Sequence, residues 1–327
     1  MKNSRSSVNP QNQASQFAIW GAMITIYIVW GSTYLAIRFA VATIPPFLMA
    51  SMRFLAAGLI LFVFRLLSGD PWPRKNEWRS SAIIGLFLLV LGNGGVVWAE
   101  QMVPSSLAAL MVGTVPLWMI IINSIQPGGH WPNRKVIIGV SAGFAGILLL
   151  FWPGQASGEP VNFTGILVLL FAAISWAIGS LFSRKAVLPA SPLQGTAMEM
   201  LAGGTMLLIA GILTGETASL HTASFTPQSI WGLIYLVIFG SLIGFVAYTW
   251  ALRSAPISLV ATYAYVNPVV AIAVGYLFAG EIFTIKTFIA AAIILGSVIL
   301  ITTPAKKKIK KGKISAFSEG NDYSGYN

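Results

Sequence analysis

The sequence contains no cysteine, only two histidines and few charged residues. Without cysteine, the chain forms no disulfide bond, binds no metal through thiolates and has no cysteine nucleophile. His130 and His221 lie in connections between apolar runs, and the sequence has no H-E-x-x-H zinc motif and no G-x-x-x-x-G-K-[ST] phosphate loop. We therefore expect no enzyme, no metal and no cofactor, and ATP hydrolysis by this chain is disfavoured. An integral-membrane enzyme remains the weaker alternative.

Most of the sequence consists of long apolar runs. Hydrophobic residues make up 56% of the chain and charged residues 9%, whereas soluble proteins average about 25% charged. About 20 helical residues span the hydrocarbon core, while barrel strands would be about 10 residues long and strictly alternating. The sequence therefore predicts an all-α polytopic membrane protein with ten transmembrane helices. The predicted helices cover residues 18–38, 46–67, 82–102, 104–125, 136–152, 164–183, 192–213, 230–251, 256–279 and 285–303.

Lysine and arginine alternate between the two sides of the predicted bundle. Seventeen of the 20 lie in the two tails and in every second connection, and only Arg38 and Lys286 lie on the other side. Because positively charged loops stay in the cytoplasm, we expect both termini in the cytoplasm of a bacterial cell with the chain in its inner membrane. The basic run 306–313 is interpreted as a topology anchor, so no nucleic acid partner is expected.

An internal repeat relates the two halves of the sequence. A shift of 146 residues pairs Trp30 with Trp176, Pro46 with Pro192 and Gly58 with Gly204; a shift of 152 pairs Trp98 with Trp250, Pro104 with Pro256 and Pro116 with Pro268. Each copy has five predicted helices, and an odd number inverts the second copy in the membrane, as in many secondary transporters. The expected organisation is an N-terminal tail (1–17), a first repeat (18–152), an extracytoplasmic linker (153–163), a second repeat (164–303) and a basic C-terminal tail (304–327).

Two prolines are predicted to interrupt helices near the middle of the bilayer. Pro116 and Pro268 lie about 18 Å along their predicted spans by helix rise, whereas Pro104 and Pro256 open those spans. A proline inside a helix frees a backbone carbonyl, which lipid does not satisfy, so the turn must face protein, water or cargo. Asn267 stands beside Pro268 and would serve the same region. A packing kink without any ligand is the alternative.

These stretches resemble a known family. The relevant segments are IVWGSTYLAIR (28–38), RFLAAG (53–58), GNGGVVWAEQMVPSSLAAL (92–110), EMLAGG (199–204) and ATYAYVNPVVA (261–271). They are similar to the EamA family of the drug/metabolite transporter superfamily over residues 18–303. The resemblance implies ten helices as two inverted five-helix repeats, cytoplasmic termini and alternating-access movement of small organic molecules, often outward.

Two charged residues lie deep in predicted helices, where a charge is costly unless it faces the protein interior. Arg53 and Glu199 occupy equivalent positions under the 146-residue shift. Inversion would separate them by about 10 Å along the membrane normal. Glu199 is the candidate proton-titrating or cation-binding group and Arg53 a candidate for an anionic group of the cargo, with a structural ion pair as the alternative. Glu100, at the outer end of its helix, is a third candidate or a solvated interfacial residue.

Aromatic and amide side chains within the spans complete the candidate site. The candidates for cargo binding or coupling are Glu199, Arg53, Glu100, Asn93, Trp98, Pro116, Tyr263, Asn267 and Pro268. The expected function is secondary active export of amino acids, their analogues or other neutral, zwitterionic or cationic compounds. A sugar-phosphate or nucleotide-sugar exchanger is the alternative within the same fold. The expected partners are a small-molecule substrate, the lipid bilayer and a proton gradient. Gly139 and Gly143 favour close helix packing within a monomer or in a homodimer.

Overall fold

Eleven helices form along the described part of the chain. The structure, a computed structural model, describes residues 15–103, 108, 111–127, 131–151, 162–220, 224–279 and 285–302. Residues 1–14, Pro104, most of the expected linker 153–163 and the tail 304–327 lie outside these ranges. The helices are α1 (Gln16–Val41), α2 (Pro46–Leu67), α3 (Lys75–Ala99), α4 (Val115–Ile125), α5 (Arg134–Phe151), α6 (Phe163–Ser183), α7 (Pro192–Leu213), α8 (Pro227–Ser254), α9 (Ile257–Val260), α10 (Tyr263–Ala279) and α11 (Ile285–Thr302).

Six of these helices, α1, α2, α3, α6, α7 and α8, are long and apolar enough to cross a membrane. The described residues contain no β-strand. The prediction of an all-α polytopic membrane protein is therefore confirmed. The exact count of ten spans stays a prediction, because the remaining described helices contain shorter apolar segments.

Proline and polar caps determine where several helices begin. Pro46, Pro192 and Pro227 each occupy the first helical position, where a missing N–H leaves no hydrogen bond unmade. The Ser191 hydroxyl caps α7 by accepting a hydrogen bond from the Gln194 backbone N–H. These local signals explain why the predicted bounds 192–213 coincide with α7.

Two helices contain wide π-helical segments that the sequence analysis missed. Residues Leu86–Gly94 of α3 and Leu236–Phe245 of α8 are π-helical, whereas 82–102 and 230–251 were predicted as regular helices. Glycines let a tryptophan approach each segment closely: a Cβ atom at Gly92 would lie 2.8 Å from Cε3 of Trp176, and one at Gly244 would lie 2.6 Å from Nε1 of Trp30. π-Helical turns are rare and occur frequently at functional sites.

The predicted helix breaks lie a few residues before the prolines, which corrects the sequence analysis. Residues 113–114 form a turn, and Pro116 is the second residue of α4. Ala261 and Thr262 separate α9 from α10, and Pro268 lies inside α10. The pyrrolidine ring clashes with the preceding turn of a regular helix. The chain relieves this crowding upstream, where Tyr265 N–H bonds to the Thr262 carbonyl at 3.1 Å in a 3₁₀-type turn.

Helices α2 and α7 pack antiparallel along their whole length. The Ser51 hydroxyl donates to the Gly204 carbonyl at 3.0 Å. A Cβ atom at Gly211 would touch Leu48, and one at Gly58 would touch Leu201, so the residue numbers fall in one helix as they rise in the other. Residues 42–45 therefore lie at one end of this pair and residues 184–191 at the other.

Each end of the α2–α7 pair is fastened by a connection. At one end, the Glu216 carboxylate accepts from the backbone N–H groups of Phe47 (3.1 Å) and Leu48 (2.9 Å). At the other end, Gln194 Nε2 donates to the Pro71 carbonyl at 2.9 Å. Carboxylates are favourable at helix N-termini, where backbone N–H groups lack partners. The pair is thus held as one unit.

One end of the bundle collects the positive charges, and we call it the basic end. It comprises the connections 68–74 and 184–191 and the last turn of α8, where Arg184 donates to the Ala255 carbonyl at 3.2 Å. Arg65 also lies there and forms a bidentate ion pair with Asp70 at 2.6 and 2.8 Å. The hydrogen bonds from Arg65 hold the pKa of Asp70 below its usual range.

Helices α5 and α11 form a second close pair. A Cβ atom at Gly139 would lie 2.5 Å from a side-chain carbon of Ile301, and one at Gly143 would lie 2.9 Å from the Ser297 hydroxyl. The glycine face therefore packs within the chain, as small residues do between membrane helices.

Candidate functional site

A cavity of about 80 Å³ lies between the helices in the middle of the described bundle. Its walls come from α1, α2, α3, α6, α8, α10, the first residue of α4 and Val112. Four predicted site residues, Arg53, Asn93, Tyr263 and Asn267, line it together. Among the described residues, Trp98, Glu100, Pro116, Glu199 and Pro268 are not in its wall. A buried water needs about 10–15 Å³ of such space, so the cavity has room for a few waters.

Four aromatic side chains, Trp30, Trp176, Tyr248 and Tyr263, form what we call the aromatic cluster. The ring centroids lie 4.9 Å apart for Trp30 and Tyr248, and 5.4 Å for Tyr248 and Tyr263. Trp176 Nε1 donates to the Tyr248 hydroxyl at 2.8 Å. Tyr248 is fully buried and lies one turn closer to the basic end than Phe245, which lines the cavity. The cluster therefore closes the cavity toward the basic end.

Arg53 brings a positive charge into the cavity wall. Its side chain is 4% exposed, and Nε donates to the Ser241 hydroxyl at 2.8 Å. The guanidinium carbon lies 4.8 Å from the centre of the Phe54 ring. Gly240, in the π-helical segment of α8, makes room for it, because a Cβ atom there would lie 2.7 Å from the Arg53 Nη2 atom. The irregular turn of α8 thus both holds and admits the guanidinium.

Polar atoms without protein partners occur on the far side of the cavity. Within the described residues, Oδ1 of Asn93 is buried and has no hydrogen-bond partner, and neither carboxylate oxygen of Glu100 has one. Tyr34, which lines the cavity, interacts electrostatically with Glu100. Both carboxylate oxygens of Glu100 are therefore buried, although the residue as a whole is partly exposed.

Asn267 joins the break before α10 to α1. When its amide is oriented by the surrounding hydrogen bonds, the nitrogen donates to the carbonyls of Tyr263 at 3.0 Å and Tyr27 at 3.3 Å. The Tyr27 hydroxyl also lies 2.5 Å from the Thr262 hydroxyl. The amide beside Pro268 thus bonds to the backbone near the chain break at Ala261 and Thr262.

Glu199 lies outside the cavity, toward the basic end. It is fully buried, and its nearest cation is Arg253, with Nη2 at 3.9 Å from Oε1. Neither carboxylate oxygen has a hydrogen-bond partner among the described residues. Beside it, the hydroxyls of Thr196 and Thr249 lie 2.6 Å apart and link α7 to α8. Glu199 therefore faces Arg253, whereas Arg53 bonds to Ser241.

Sequence reasoning missed three residues of this region. Arg253 was counted only as a topology charge, although an arginine in the last turn of a span can extend its side chain along the helix. Ser241 was hidden in an apolar run, and Tyr34 was not singled out among the other aromatic residues. A polar residue within an apolar run was the available signal for Ser241.

One catalytic motif match has no matching structure. The sequence contains G-x-S-x-G at residues 139–143, the pattern of a nucleophile elbow. That motif requires a sharp turn from a strand to a helix, and Ser141 lies inside α5 with its side chain exposed. The match therefore gives no support to a hydrolase.

Comparisons with known proteins identify the family. A model of the EamA-like transporter family matches residues 17–152 and again residues 163–303. The chain therefore belongs to the EamA-like transporter family, as its motifs predicted.

Individual relatives agree with this assignment. The chain is 40% identical over 285 residues to the uncharacterized inner membrane transporter YedA of Escherichia coli K12, covering 87% of this chain and 90% of that protein. It is 25% identical over 289 residues to the uncharacterized transporter YoaV of Bacillus subtilis, covering 88% and 98%. A crystal structure of a protein 21% identical to this chain has a TM-score of 0.70, with 88% of this chain and 97% of that one covered. That structure supports the fold alone.

The family and the apolar helices together define the class of protein. The chain is a multi-pass membrane protein of a family whose members are named as transporters, and its similarity to YedA agrees with the drug/metabolite transporter superfamily. The family name indicates transport of small molecules and so a protein that is not an enzyme.

Proposed function

We propose that this protein is a secondary active transporter that moves small organic metabolites or drugs outward across the bacterial inner membrane by alternating access. Neutral, zwitterionic or cationic compounds, such as amino acids and their analogues, are the expected cargo. The observation that carries the proposal is the central cavity, where Arg53, Asn93, Tyr263 and Asn267 meet beside aromatic rings. An apolar pocket with a few convergent polar groups is the usual form of a small-molecule site.

Alternating access would come from two inverted repeats, residues 18–152 and 164–303. Two observations support this organisation. The connections 42–45 and 184–191, which correspond under the repeat, lie at opposite ends of the α2–α7 pair. The contact of Trp30 with Gly244 is mirrored by that of Trp176 with Gly92, so each repeat packs a tryptophan against a π-helical segment of the other.

The basic end is the proposed cytoplasmic side, with both termini there. The support is the concentration of lysine and arginine in its connections, because positively charged loops stay in the cytoplasm. The aromatic cluster would then close the cytoplasmic half of the pathway. Release and rebinding of cargo require this cluster to separate, and a cavity of about 80 Å³ must also widen to hold an organic molecule.

Glu199 is the proposed coupling group. A carboxylate without hydrogen bonds, 3.9 Å from one arginine, is poorly stabilised as an anion in a buried place, which favours uptake of a proton. Its position behind the aromatic cluster would allow its protonation to change when the cytoplasmic half opens. Proton coupling and export direction are thus parts of one mechanism.

A sugar-phosphate or nucleotide-sugar exchanger fits the cavity less well. Such cargo carries two or more negative charges and needs several cationic groups. The described residues that line the cavity include one arginine, Arg53, and no lysine.

The test compares Glu199→Gln with Glu77→Gln in cells and in proteoliposomes. Glu77 lies at the start of α3, outside the membrane, and glutamine can still accept there. Cells that express the wild type should survive excess amino acids, analogues or cationic toxins that arrest control cells, and the Glu77 variant should protect equally. Glu199→Gln should lose protection and pH-gradient-driven transport while retaining exchange. Absence of protection against every class would contradict export.

A further inference from the structure

Arg53 is a buried positive charge that has no negative partner among the residues that the structure describes. Among the described residues there are two ion pairs, Arg65 with Asp70 and Arg253 with Glu199, and neither includes Arg53. The one hydrogen bond that the structure gives its side chain uses Nε, toward Ser241. The four N–H groups of the guanidinium tip therefore have no acceptor in the described protein. Leaving a buried charge unpaired is costly.

Each carboxylate that the structure describes contacts groups other than Arg53. Asp70 pairs with Arg65, Glu77 accepts from the Arg74 backbone N–H, and Glu216 caps α2. Glu199 faces Arg253 and Glu100 lies near Tyr34. None of these five carboxylates has a resolved electrostatic interaction with the Arg53 guanidinium. Within the described part of the chain, Arg53 therefore has no counter-charge.

The guanidinium is also held in place for a ligand. The Ser241 hydroxyl fixes Nε, the Phe54 ring lies against the planar group, and Gly240 makes room for Nη2. A fixed guanidinium fork matches the two oxygens of a carboxylate, and such paired hydrogen bonds are stronger than those between neutral groups. Binding then requires little ordering of the side chain.

The other walls limit what can accompany the negative group. Trp30 and Trp176 meet edge to face with centroids 5.6 Å apart, and Tyr263 stands against Trp30 at 5.1 Å, which makes a rigid corner of flat apolar surfaces. The unpartnered Oδ1 of Asn93 can accept one hydrogen bond.

We propose that Arg53 is a carboxylate subsite, and that the cargo carries one carboxylate on a flat, unsaturated body, as an anion or a zwitterion. This inference rests on the proposed function; it selects the zwitterions among the cargo proposed there and adds monocarboxylate anions to it. A phosphate dianion fits less well, because the single guanidinium of Arg53 balances only one of its two negative charges.

The test measures equilibrium binding of radiolabelled benzoate to the full chain in lipid nanodiscs at pH 7, with unlabelled competitors. Benzamide, benzylammonium and phenyl phosphate share the ring and differ in the charged group. Benzoate should bind saturably and displace the label about tenfold better than each of the other three, because only it matches the guanidinium fork and charge.

The matched variants are Arg53→Met and Arg79→Met. Arg79 is an exposed arginine of α3 at the basic end. Arg53→Met should weaken benzoate binding by about tenfold or more and remove the preference over benzamide, whereas Arg79→Met should leave both unchanged. Arg53→Lys keeps the charge without the fork and should bind benzoate more weakly while preserving the order of competitors.

Several results would overturn the subsite. These are no saturable benzoate binding, equal displacement by benzamide or benzylammonium, or unchanged benzoate binding in a monodisperse Arg53→Met protein. The wild-type competitor order decides the question even when Arg53→Met does not fold. Binding needs no gradient, so a protein that binds benzoate but transports nothing keeps the subsite and loses the proposed function. A protein that transports only amines or amides and does not bind benzoate keeps the proposed function and loses the subsite.

Discussion

Arg53 and Glu199 occupy equivalent places in the two halves of the sequence, yet the structure surrounds them differently. Arg53 lines the cavity, donates to Ser241 and has no acidic partner among the described residues. Glu199 lies behind the aromatic cluster, accepts no hydrogen bond from a described residue and has Arg253 at 3.9 Å. A repeat can thus keep two buried charges at corresponding depths while giving one to the cavity and the other to a closed region.

This comparison shows that the position of a residue within the repeat predicts whether it is buried, but does not predict what it contacts. Both side chains are buried because α2 and α7 pack against each other and against α8. Their neighbours come from α8, which reaches Arg53 through its π-helical segment and Glu199 through its last turn. One helix therefore contacts both charges, and its movement would affect both.

The largest expected effect concerns the opposite placement of the two charges. Because the chain has no cysteine, Ala42→Cys and Ala190→Cys each introduce a single thiol at an exposed position. An impermeant maleimide added to intact cells should label residue 42 fully and residue 190 only after the cells are permeabilised. Equal labelling of both in intact cells contradicts inverted repeats, and with them the separation of Arg53 from Glu199.

Glycine substitutions should separate the two environments next. A Cβ atom at Gly85 would lie 2.7 Å from the Glu199 backbone carbonyl, whereas one at Gly240 would meet the tip of the Arg53 side chain at the same distance. A backbone contact has no room to move, so Gly85→Ala should lose about 3 kcal/mol of unfolding free energy, the upper part of the range for overpacking. Gly240→Ala should lose about 1 kcal/mol, because a side-chain tip can shift. Thermal and denaturant unfolding in detergent provide the measurement.

Gly21→Ala is the control for this series. Nothing lies within 4 Å of a Cβ atom at Gly21, so alanine should be neutral or add about 0.5–1 kcal/mol through helix propensity. A loss at Gly21 as large as at Gly85 would mean that the unfolding signal does not report packing.

The coupling between Glu199 and Arg253 should be smaller. Removing one member of a buried pair costs about 3–5 kcal/mol, but Arg253 is 22% exposed and 3.9 Å away, so we expect about 1–2 kcal/mol for Arg253→Met. Glu199→Gln in the same protein should restore most of that loss, because the unpaired carboxylate is gone. A double-mutant cycle on melting temperatures measures this coupling. Additive single effects would mean that the two groups do not interact.

How far the sequence could predict these features depends on how local their causes are. The bounds of α7 followed from Ser191 and Pro192, which act within one turn, and hydropathy alone indicated that Arg53 and Glu199 are buried. The internal repeat also predicted corresponding depths.

Features that depend on other helices could not be predicted in this way. The π-helical segments of α3 and α8 depend on tryptophans more than 80 residues away in the chain, at Trp176 and Trp30. Likewise, the hydrogen bond between Thr262 at the break and Tyr27 depends on the packing of α1 against α10, and the contact of Arg253 with Glu199 depends on the packing of α7 against α8. No periodic pattern within a segment contains this information.

The smallest expected effect concerns the ends of the α2–α7 pair, which hold the two charges in place. Arg65 lowers the pKa of Asp70, so the folded state binds this proton less tightly than the unfolded state does. The stabilisation is therefore complete above the unfolded pKa of about 3.9 and is lost as the pH falls through the lower folded pKa. Asp70→Asn should unfold at a slightly lower temperature than the wild type at pH 7, and the difference should vanish at acidic pH. Because the ion pair is partly exposed, salt should also reduce the difference at pH 7. A difference that persists at acidic pH would mean that Asp70 acts through packing of the connection 68–74 and that its charge contributes nothing.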